Sequence, residues 1–307
     1  MAGLNDNLNG IICVNKPEGF TSFDVIAKMR GILRLKRLGH AGTLDPMATG
    51  VLPVFAGRAT KACDIIPDRD KTYEAGFRLG FTTDTQDSSG TVTAEKNASG
   101  ITADSIEGVL VSFRGDIMQI PPMYSAVMIN GQRLYDLARQ GKTVEREPRP
   151  ITVYSLELLE YDCEKKEGRL SVSCSKGTYI RTLINDIGDA LGCGGIMTSL
   201  VRTRACGYEL KDCVTLDDLQ KLAEDGVSAE KYLCPIDNVF GGYGKIKLNP
   251  HQEKLYRNGV KLDLDRVHAK LSGNDGEIFR VYGADGLFIG LAQAKPETRE
   301  LSVYKNF

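Results

Sequence analysis

The chain has 307 residues, of which 42% are hydrophobic and 26% charged, and its formal net charge is −1. This length predicts about two domains, and the sequence shows neither an apolar run long enough to span a membrane nor a signal peptide in the opening MAGLNDNLNG. Eight cysteines without CxxC pairs or histidine clusters indicate reduced thiols rather than disulfides or a metal site. We therefore expect a soluble, cytoplasmic protein.

The first predicted elements are short strands and one amphipathic helix. IICVNK predicts a strand, and Thr21 with Asp24 three residues later predicts a capped helix with apolar residues at helical spacing. The segment 28–37 holds five basic residues and no acid, so one face of this region is basic. GHAGTLDPMATG, residues 39–50, follows as a glycine-rich loop around Asp45. VLPVFAG and KTYEAGFRLGF then predict two strands.

The remaining elements predict an antiparallel sheet with a projecting hairpin. ADSIEGVLVSF has helical spacing, and IPPMYSAVMINGQRLYDLARQGK predicts a hairpin turning at Asn130–Gly131 and a short helix ending at Gly141. ITVYSLELLEYD and GRLSVSCS predict long antiparallel strands, and TYIRTLINDIGDAL predicts a helix. From about Lys245, turns at Asn274–Asp275–Gly276 and Asp285–Gly286 separate short strands of a small β-rich domain. The expected fold class is α+β, with a mixed, largely antiparallel sheet.

Asp45 is a candidate for chemistry, although an Asp-Pro dipeptide also forms ordinary turns. Glycines surround it, and glycine permits unusual backbone angles and close approach of a ligand. These glycines are Gly39, Gly42, Gly50 and Gly57. Neither GxxxxGK(S/T) nor GxGxxG occurs here, which argues against a phosphate-binding loop. The neighbourhood also lacks the further carboxylates with which an aspartyl-phosphate enzyme holds magnesium.

Arg181 is a second candidate because it lies in the first turn of its predicted helix, where the macrodipole disfavours a cation. If this helix end approaches the Asp45 loop, the arginine would keep the carboxylate ionised and oriented. An exposed arginine that points to solvent is the alternative. Tyr73 fits either strand packing or catalysis, and His40 fits either a charge switch or a turn.

Six long motifs follow one another along residues 11 to about 207. They are NKPEGFTSFDV, GHAGTLDPMATGVLPV, KTYEAGFRLGFTTDTQD, QIPPMYSAVMINGQRLYDLARQG, SKGTYIRTLINDIGDALG and SLVRTRACG. Together they resemble the bacterial branch of the TruB family of tRNA pseudouridine synthases. The resemblance implies a catalytic domain over residues 1–240 with a thumb-like hairpin insertion at about 121–150. It also implies a small β-barrel, PUA-like RNA-binding domain over 245–307.

This resemblance implies that the protein isomerises one T-loop uridine of tRNA to pseudouridine. Asp45 matches the essential carboxylate, which acts as a nucleophile at C1′, as a nucleophile at C6 of the base, or as a base toward C2′. Arg181 matches the arginine that pairs with this aspartate. Tyr73 matches the tyrosine stacked on the target base, and its hydroxyl is a candidate for removing the C5 proton.

Substrate binding is implied at further positions. Tyr179 and Leu200 match residues that line the uracil pocket, and His40 matches the histidine near the flipped loop nucleotides. A uridine inside a folded T-loop must be extruded before it can react. Lys16 and the basic segment 28–37 are therefore expected to contact phosphates.

The hairpin over residues 124–141 is also expected to contact phosphates, although Met128 stands where the family usually has a lysine. Because the isomerisation is redox-neutral, we expect no cofactor and no metal. We expect a monomer that acts on tRNA without a protein partner, a guide RNA or a membrane. Two alternatives remain: a non-catalytic tRNA-binding or tRNA-folding protein, and a pseudouridine synthase that acts on another RNA, as the H/ACA-guided relatives do.

Overall fold

The structure, a computed structural model, describes residues 8–129, 131–267 and 276–307. Its strands are β1 (Gly10–Lys16), β2 (Leu38–His40), β3 (Thr49–Ala56), β4 (Lys71–Leu79), β5 (Phe81–Thr83), β6 (Val92–Glu95), β7 (Gly115–Gln119), β8 (Met128–Ile129), β9 (Gln132–Arg133), β10 (Arg149–Asp162), β11 (Glu167–Cys174), β12 (Gly195–Ala205), β13 (Tyr208–Glu209), β14 (Gly244–Lys247), β15 (Leu262–Asp263), β16 (Ile278–Tyr282), β17 (Phe288–Lys295) and β18 (Glu300–Asn306). Its α-helices are α1 (Ser22–Leu33), α2 (Ala103–Leu110), α3 (Leu134–Arg139), α4 (Ile180–Ala190), α5 (Leu216–Glu224) and α6 (Pro250–Arg257). None of these helices is long and apolar enough to cross a membrane.

Helix α1 begins at the predicted capping box. The Thr21 hydroxyl accepts a hydrogen bond from the Asp24 amide at 3.0 Å, and the Asp24 carboxylate accepts one from the Thr21 amide at 2.8 Å. Both amides would otherwise lack a partner at the helix start. Val25, Met29 and Leu33 are buried on the opposite face, so the helix is fixed to the core while its basic side remains outside.

The large sheet has the strand order β1-β3-β12-β4-β11-β10-β7, with β2 paired to β3 and β13 paired to β12. Its strands pair antiparallel except β3 and β12, which run parallel. This arrangement confirms the predicted mixed, largely antiparallel sheet. Strand β4 lies between β12 and β11, so its side chains occupy the middle of the sheet.

Two hydrophobic cores hold the helices to this sheet. Helices α2 and α4 pack with β4, β10 and β11, whereas α1 and α5 pack with β1 and β3. Leu44 and Ala48, on either side of Asp45, belong to the first core, and Leu38 belongs to the second. The Asp45 loop therefore crosses from one core to the other.

A hairpin and a short helix lie between β7 and β10. In this segment Met128 on β8 pairs with Arg133 on β9, and helix α3 follows directly. Gly141 has φ of 71°, consistent with the predicted end of that helix. Of the predicted turn Asn130–Gly131, Asn130 lies outside the described residues, and so do Asn274 and Asp275 of a later turn.

The C-terminal strands form a separate five-stranded sheet in the order β14-β16-β17-β18-β15. It begins at Gly244, close to the predicted change of texture at Lys245. Its strands are joined to the rest of the molecule by a third core that includes Phe240, Phe288 and Phe307. The small β-rich unit is therefore packed against the larger part of the chain.

Candidate active site

The Asp45 loop is fixed on both sides of the aspartate. On one side the Leu44 amide donates to the Ser22 hydroxyl at 2.8 Å. On the other side the Pro46 carbonyl accepts from the Gly19 amide at 2.9 Å. Because the residues before and after it are both anchored to α1 or its approach, Asp45 projects from a rigid support despite lying in an irregular segment.

Lys16 reinforces this loop from inside the protein. Its side chain is completely buried, and its ammonium group donates to the carbonyls of Pro17, Phe20 and Pro46. Burial lowers the pKa of Lys16 to about 8, against the opposing effect of the Asp45 charge. The predicted phosphate contact is therefore wrong, because all three donors of the ammonium serve backbone carbonyls and none reaches solvent.

Arg181 and Asp45 meet in the structure. Nε of Arg181 lies 3.1 Å from Oδ2 of Asp45, and the arginine side chain is 8% exposed against 40% for the aspartate. The other carboxylate oxygen, Oδ1, has no hydrogen-bond or ion-pair partner among the described residues. Asp45 is thus held by one oxygen and presents the other to the open side of the site.

The remaining nitrogens of the Arg181 guanidinium are also occupied. Nη1 donates to the Thr85 carbonyl at 3.0 Å and to Oδ2 of Asp87 at 3.3 Å, and Nη2 donates to the Tyr124 carbonyl at 3.0 Å. These contacts fix the plane of the guanidinium group and therefore the side from which it approaches Asp45. They also offset the unfavourable position of a cation in the first turn of α4.

Asp87 is a residue that sequence reasoning missed. It is 4% exposed, and its Oδ1 accepts from the Thr85 hydroxyl at 2.7 Å and the Ser89 amide at 3.0 Å. The sequence around it, TDTQDSSG, is a polar, turn-rich stretch, and an aspartate in such a stretch is typical of any turn. Only the contact with Arg181, distant in sequence, distinguishes Asp87 from an ordinary turn residue.

Tyr73 lies on β4 directly opposite Arg202 on β12. Burial raises the pKa of Tyr73 to about 12, while the charge and hydrogen bond of Arg202 oppose that rise. The phenol is therefore neutral at physiological pH.

Arg202 is a second residue that sequence reasoning missed. It is completely buried and donates to the carbonyls of Val51 at 2.8 Å and Gly42 at 3.0 Å. These hydrogen bonds tie the Asp45 loop to the sheet.

Gly50 shows why glycine is required beside the aspartate. Its φ is 104°, and a Cβ atom there would lie 2.2 Å from the Arg202 carbonyl oxygen. Strand β3 could not approach β12 in this way with a side chain at Gly50. Gly42 and Gly57 also have positive φ, whereas Gly39 does not.

The predicted site residues converge on one cleft of about 520 Å³. This volume falls within the usual range of small-molecule sites. Every predicted site residue except Lys16 lines this cleft. The residues that line it are His40, Asp45, Tyr73, Tyr179, Arg181 and Leu200.

Gln119 fixes the backbone of Tyr179 at the start of α4. Its side chain accepts a hydrogen bond from the Tyr179 amide at 2.8 Å and donates one to the Tyr179 carbonyl at 3.1 Å.

Basic side chains outnumber acidic ones in the lining of the cleft. Arg69, Lys71, Lys176 and Arg181 line it together with Asp45 and Asp64. Burial, and then the Arg202 charge, lower the pKa of His40, so this histidine is neutral at pH 7. Within residues 8–129, 131–267 and 276–307, no group of three or more His, Cys, Asp or Glu side chains is placed to hold a metal ion.

Comparison with known proteins assigns the chain to a family. The TruB family pseudouridylate synthase N-terminal domain model matches residues 30–180, and the tRNA pseudouridylate synthase B C-terminal domain model matches residues 181–240. The chain is 43% identical to tRNA pseudouridine synthase B of Clostridium tetani (strain Massachusetts / E88), over 94% of this chain and 97% of the relative. The chain belongs to the TruB family of pseudouridylate synthases. The protein of the same name from Pseudomonas syringae pv. syringae (strain B728a) is also 43% identical, over 96% and 95% of the two chains.

Solved structures share this TruB-family fold over nearly the whole chain. A chain of the Cbf5-Nop10-Gar1 complex matches with a TM-score of 0.74 and 28% identity, over 97% of this chain and 85% of that chain. A chain from an H/ACA RNP bound to a substrate RNA containing 2′-deoxyuridine matches with a TM-score of 0.73 and 26% identity, over 97% and 84%. The agreement includes the C-terminal sheet, which both TruB-family domain models leave uncovered.

The two TruB-family domain models meet inside the cleft around Asp45. The first covers Asp45 and Tyr73 and ends at the first residue of α4, and the second begins with Arg181 and includes Leu200. The carboxylate and its arginine are thus supplied by separate parts of the chain, which the fold brings to 3.1 Å.

Proposed function

We propose that this TruB-family protein isomerises one uridine of the tRNA T-loop to pseudouridine, with Asp45 as the essential carboxylate. The observation that carries the proposal is the Asp45–Arg181 ion pair at the edge of a cleft that also contains Tyr73, Tyr179 and Leu200. A sequence identity of 43% to proteins named tRNA pseudouridine synthase B supports tRNA as the substrate.

The geometry fits a carboxylate that must both add and leave. Arg181 binds Oδ2 of Asp45 and fixes the orientation of the carboxylate, while Oδ1 is unpartnered among the described residues. This oxygen would attack C1′, add to C6 of the base or act on the proton at C2′. In each route the N1–C1′ bond breaks, the uracil turns in place and C5 bonds to C1′.

Further roles follow from positions around this oxygen. Tyr73 would stack on the target base. Because its phenol is neutral, its oxygen would take up the C5 proton only if the phenolic proton passed to solvent water in the same step. Tyr179 and Leu200 would form the walls of the uracil pocket, and neutral His40 would contact neighbouring loop nucleotides. Lys16 is assigned a positioning role, through the Pro46 carbonyl.

The remaining parts of the proposal concern partners and organisation. We place the catalytic domain at residues 1–240, with the thumb-like insertion at about 121–150, and a PUA-like RNA-binding domain at 245–307. The protein would act as a monomer in the cytoplasm. It would need no guide RNA, since it is 43% identical to tRNA pseudouridine synthase B and 26% identical to a chain from an H/ACA RNP. A solely tRNA-binding role is not retained, because Asp45, Tyr73 and Arg181 are all present and assembled.

The test is tritium release from a tRNA transcript labelled at uracil C5. Wild-type protein should release tritium from the T-loop uridine, and Asp45→Asn should release none while it still binds tRNA, because the variant loses charge and nucleophilicity at nearly constant shape. A transcript that lacks the T-loop uridine is the control for the site of modification. Full activity of Asp45→Asn, or wild-type release that persists without that uridine, would overturn the proposal.

A further inference from the structure

A second groove adjoins the cleft around Asp45 and includes part of the basic segment 28–37. It has a volume of about 690 Å³ and lies between α1 and the segment that leads into β2. His40 and Cys63 line both this groove and the cleft around Asp45. A chain molecule bound in the cleft could therefore continue into the groove without leaving the protein surface. We call it the α1 groove, and its other main lining residues are Phe23, Arg30, Lys36, Arg37 and Thr60.

The α1 groove is cationic, and its charges are not neutralised by the protein. Lys36 and Arg37 are exposed, and none of the described residues that line the groove is acidic. Within the described residues, the five basic side chains of 28–37 form no ion pair. A cluster of unpaired cations beside an active site favours a polyanion, since each phosphate bound releases counterions.

An exposed aromatic ring lies among these cations. Phe23 is 64% exposed, although Ser22, Val25 and Ile26 near it on α1 are all buried. The Arg30 guanidinium carbon lies 5.9 Å from the centre of the Phe23 ring. With the guanidinium over one face of the ring, the other face of this exposed ring is the platform on which a nucleobase can stack.

We propose that the α1 groove binds the unpaired RNA strand adjoining the target uridine, with a base stacked on Phe23 and phosphates held by Lys36 and Arg37. This inference rests on the proposed function and extends it from the uracil pocket to a neighbouring subsite. Stacking is sequence-tolerant because every base has a π-face. The groove therefore contributes affinity for the RNA rather than recognition of the reacting uracil.

Steady-state tritium release from full-length tRNA tests the stacking contact. Phe23→Ala should raise KM about tenfold with kcat within twofold of wild type, because a lost stack weakens binding without touching Asp45. Phe23→Tyr should restore the wild-type KM, since it replaces one stacking ring by another. A KM for Phe23→Ala within twofold of wild type would overturn the stacking role.

The salt dependence of tRNA binding tests the phosphate contacts. The double variant Lys36→Gln/Arg37→Gln should reduce the slope of log Kd against log salt by about 1.5, the sum expected for two phosphate contacts. Lys221→Gln is the matched control: this exposed lysine lies on α5, among the acidic residues of LDDLQKLAE, and its loss should leave the slope unchanged. An unaltered slope in the double variant would exclude RNA from the groove and favour an acidic protein surface instead.

The two proposals fail in different ways. If wild-type protein releases no tritium, the proposed function fails regardless of the α1 groove. If wild-type protein is active and the groove variants match it in KM and in salt slope, only the groove assignment fails.

Discussion

Arg181 shows how a buried cation can be used at a helix start, where it is electrostatically unfavourable. The residue has two carboxylates and two backbone carbonyls around one guanidinium group. The more exposed carboxylate, Asp45, lines the cleft and is the one proposed to react, whereas the buried one, Asp87, does not line the cleft. We therefore assign to Asp87 the task of holding the guanidinium so that Nε alone is directed at Asp45.

This assignment predicts the effect of Asp87→Asn. The amide can keep the hydrogen bonds from Thr85 and Ser89 through its oxygen, but its NH2 group would then face Nη1 of Arg181, donor against donor. We expect kcat to fall by about tenfold, and the free energy of unfolding to fall by about 2 kcal/mol for the unpaired buried groups. Single-turnover tritium release and urea denaturation measure the two effects.

Asp84→Asn is the control for that prediction. Asp84 lies on the same loop, is exposed and accepts a hydrogen bond from the Thr91 amide without touching Arg181. Its variant should behave as wild type in rate. Equal losses in the two variants would show that general loop damage, rather than the contact with Arg181, explains the Asp87 result.

At the scale of elements, local signals were predictable and long-range ones were not. The cap of α1 depends on residues three apart, and its capping box was read from the sequence. The long strands β10 and β11 were likewise predicted from composition and their flanking turns. The roles of Asp87 and Arg202 were not predicted because their partners are distant in the sequence. The prediction for Lys16 was wrong for a related reason. The sequence around a lysine that precedes a proline is the same whether its amine faces solvent or donates to three backbone carbonyls.

The Lys16 contacts give the active-site loop a pH dependence with two opposite signs. Because the pKa of Lys16 is lowered to about 8 from its ordinary 10.5, its charged form is less stable in the folded than in the unfolded chain. This cost is fully present below about pH 8 and disappears as the pH rises toward 10.5, so the Lys16 contribution to stability should improve by about 3 kcal/mol over that window.

Activity should change in the other direction over the same window. A neutral amine has two N–H donors for three carbonyls. Deprotonation therefore loosens the Pro46 side of the Asp45 loop, and kcat should fall above about pH 8.

The stability effect is measured by urea denaturation of wild type and Lys16→Met at several pH values. The difference between the two curves of unfolding free energy against pH is the contribution of Lys16. Parallel curves for the two proteins would refute the assigned titration.

At the scale of the whole molecule, the C-terminal sheet and the larger part of the chain share a hydrophobic core. The Phe307 ring lies 5.9 Å from the Phe240 ring and 5.5 Å from the Phe288 ring, measured between centroids. The Lys61 ammonium also donates to the Asn306 carbonyl at 2.9 Å. The change of texture at Lys245 predicted where the second sheet begins. Its attachment was not predictable, since single aromatic residues at both ends of the contact carry no sequence pattern.

Because the core is shared, we predict that Phe307→Ala destabilises the larger part of the chain as well as the C-terminal sheet. Phe307 is 8% exposed, and removal of a buried phenylalanine ring costs about 3 kcal/mol. Because Phe240 precedes the second sheet and packs on this ring, thermal unfolding should remain one transition at a lower Tm, rather than splitting into an unchanged transition and an early one. Asp45, Tyr73 and Arg181 lie outside this core, so kcat below the transition should equal that of wild type. Two separate calorimetric transitions in the variant, with the larger unmoved, would mean that the two sheets unfold independently and that the aromatic contact merely aligns them.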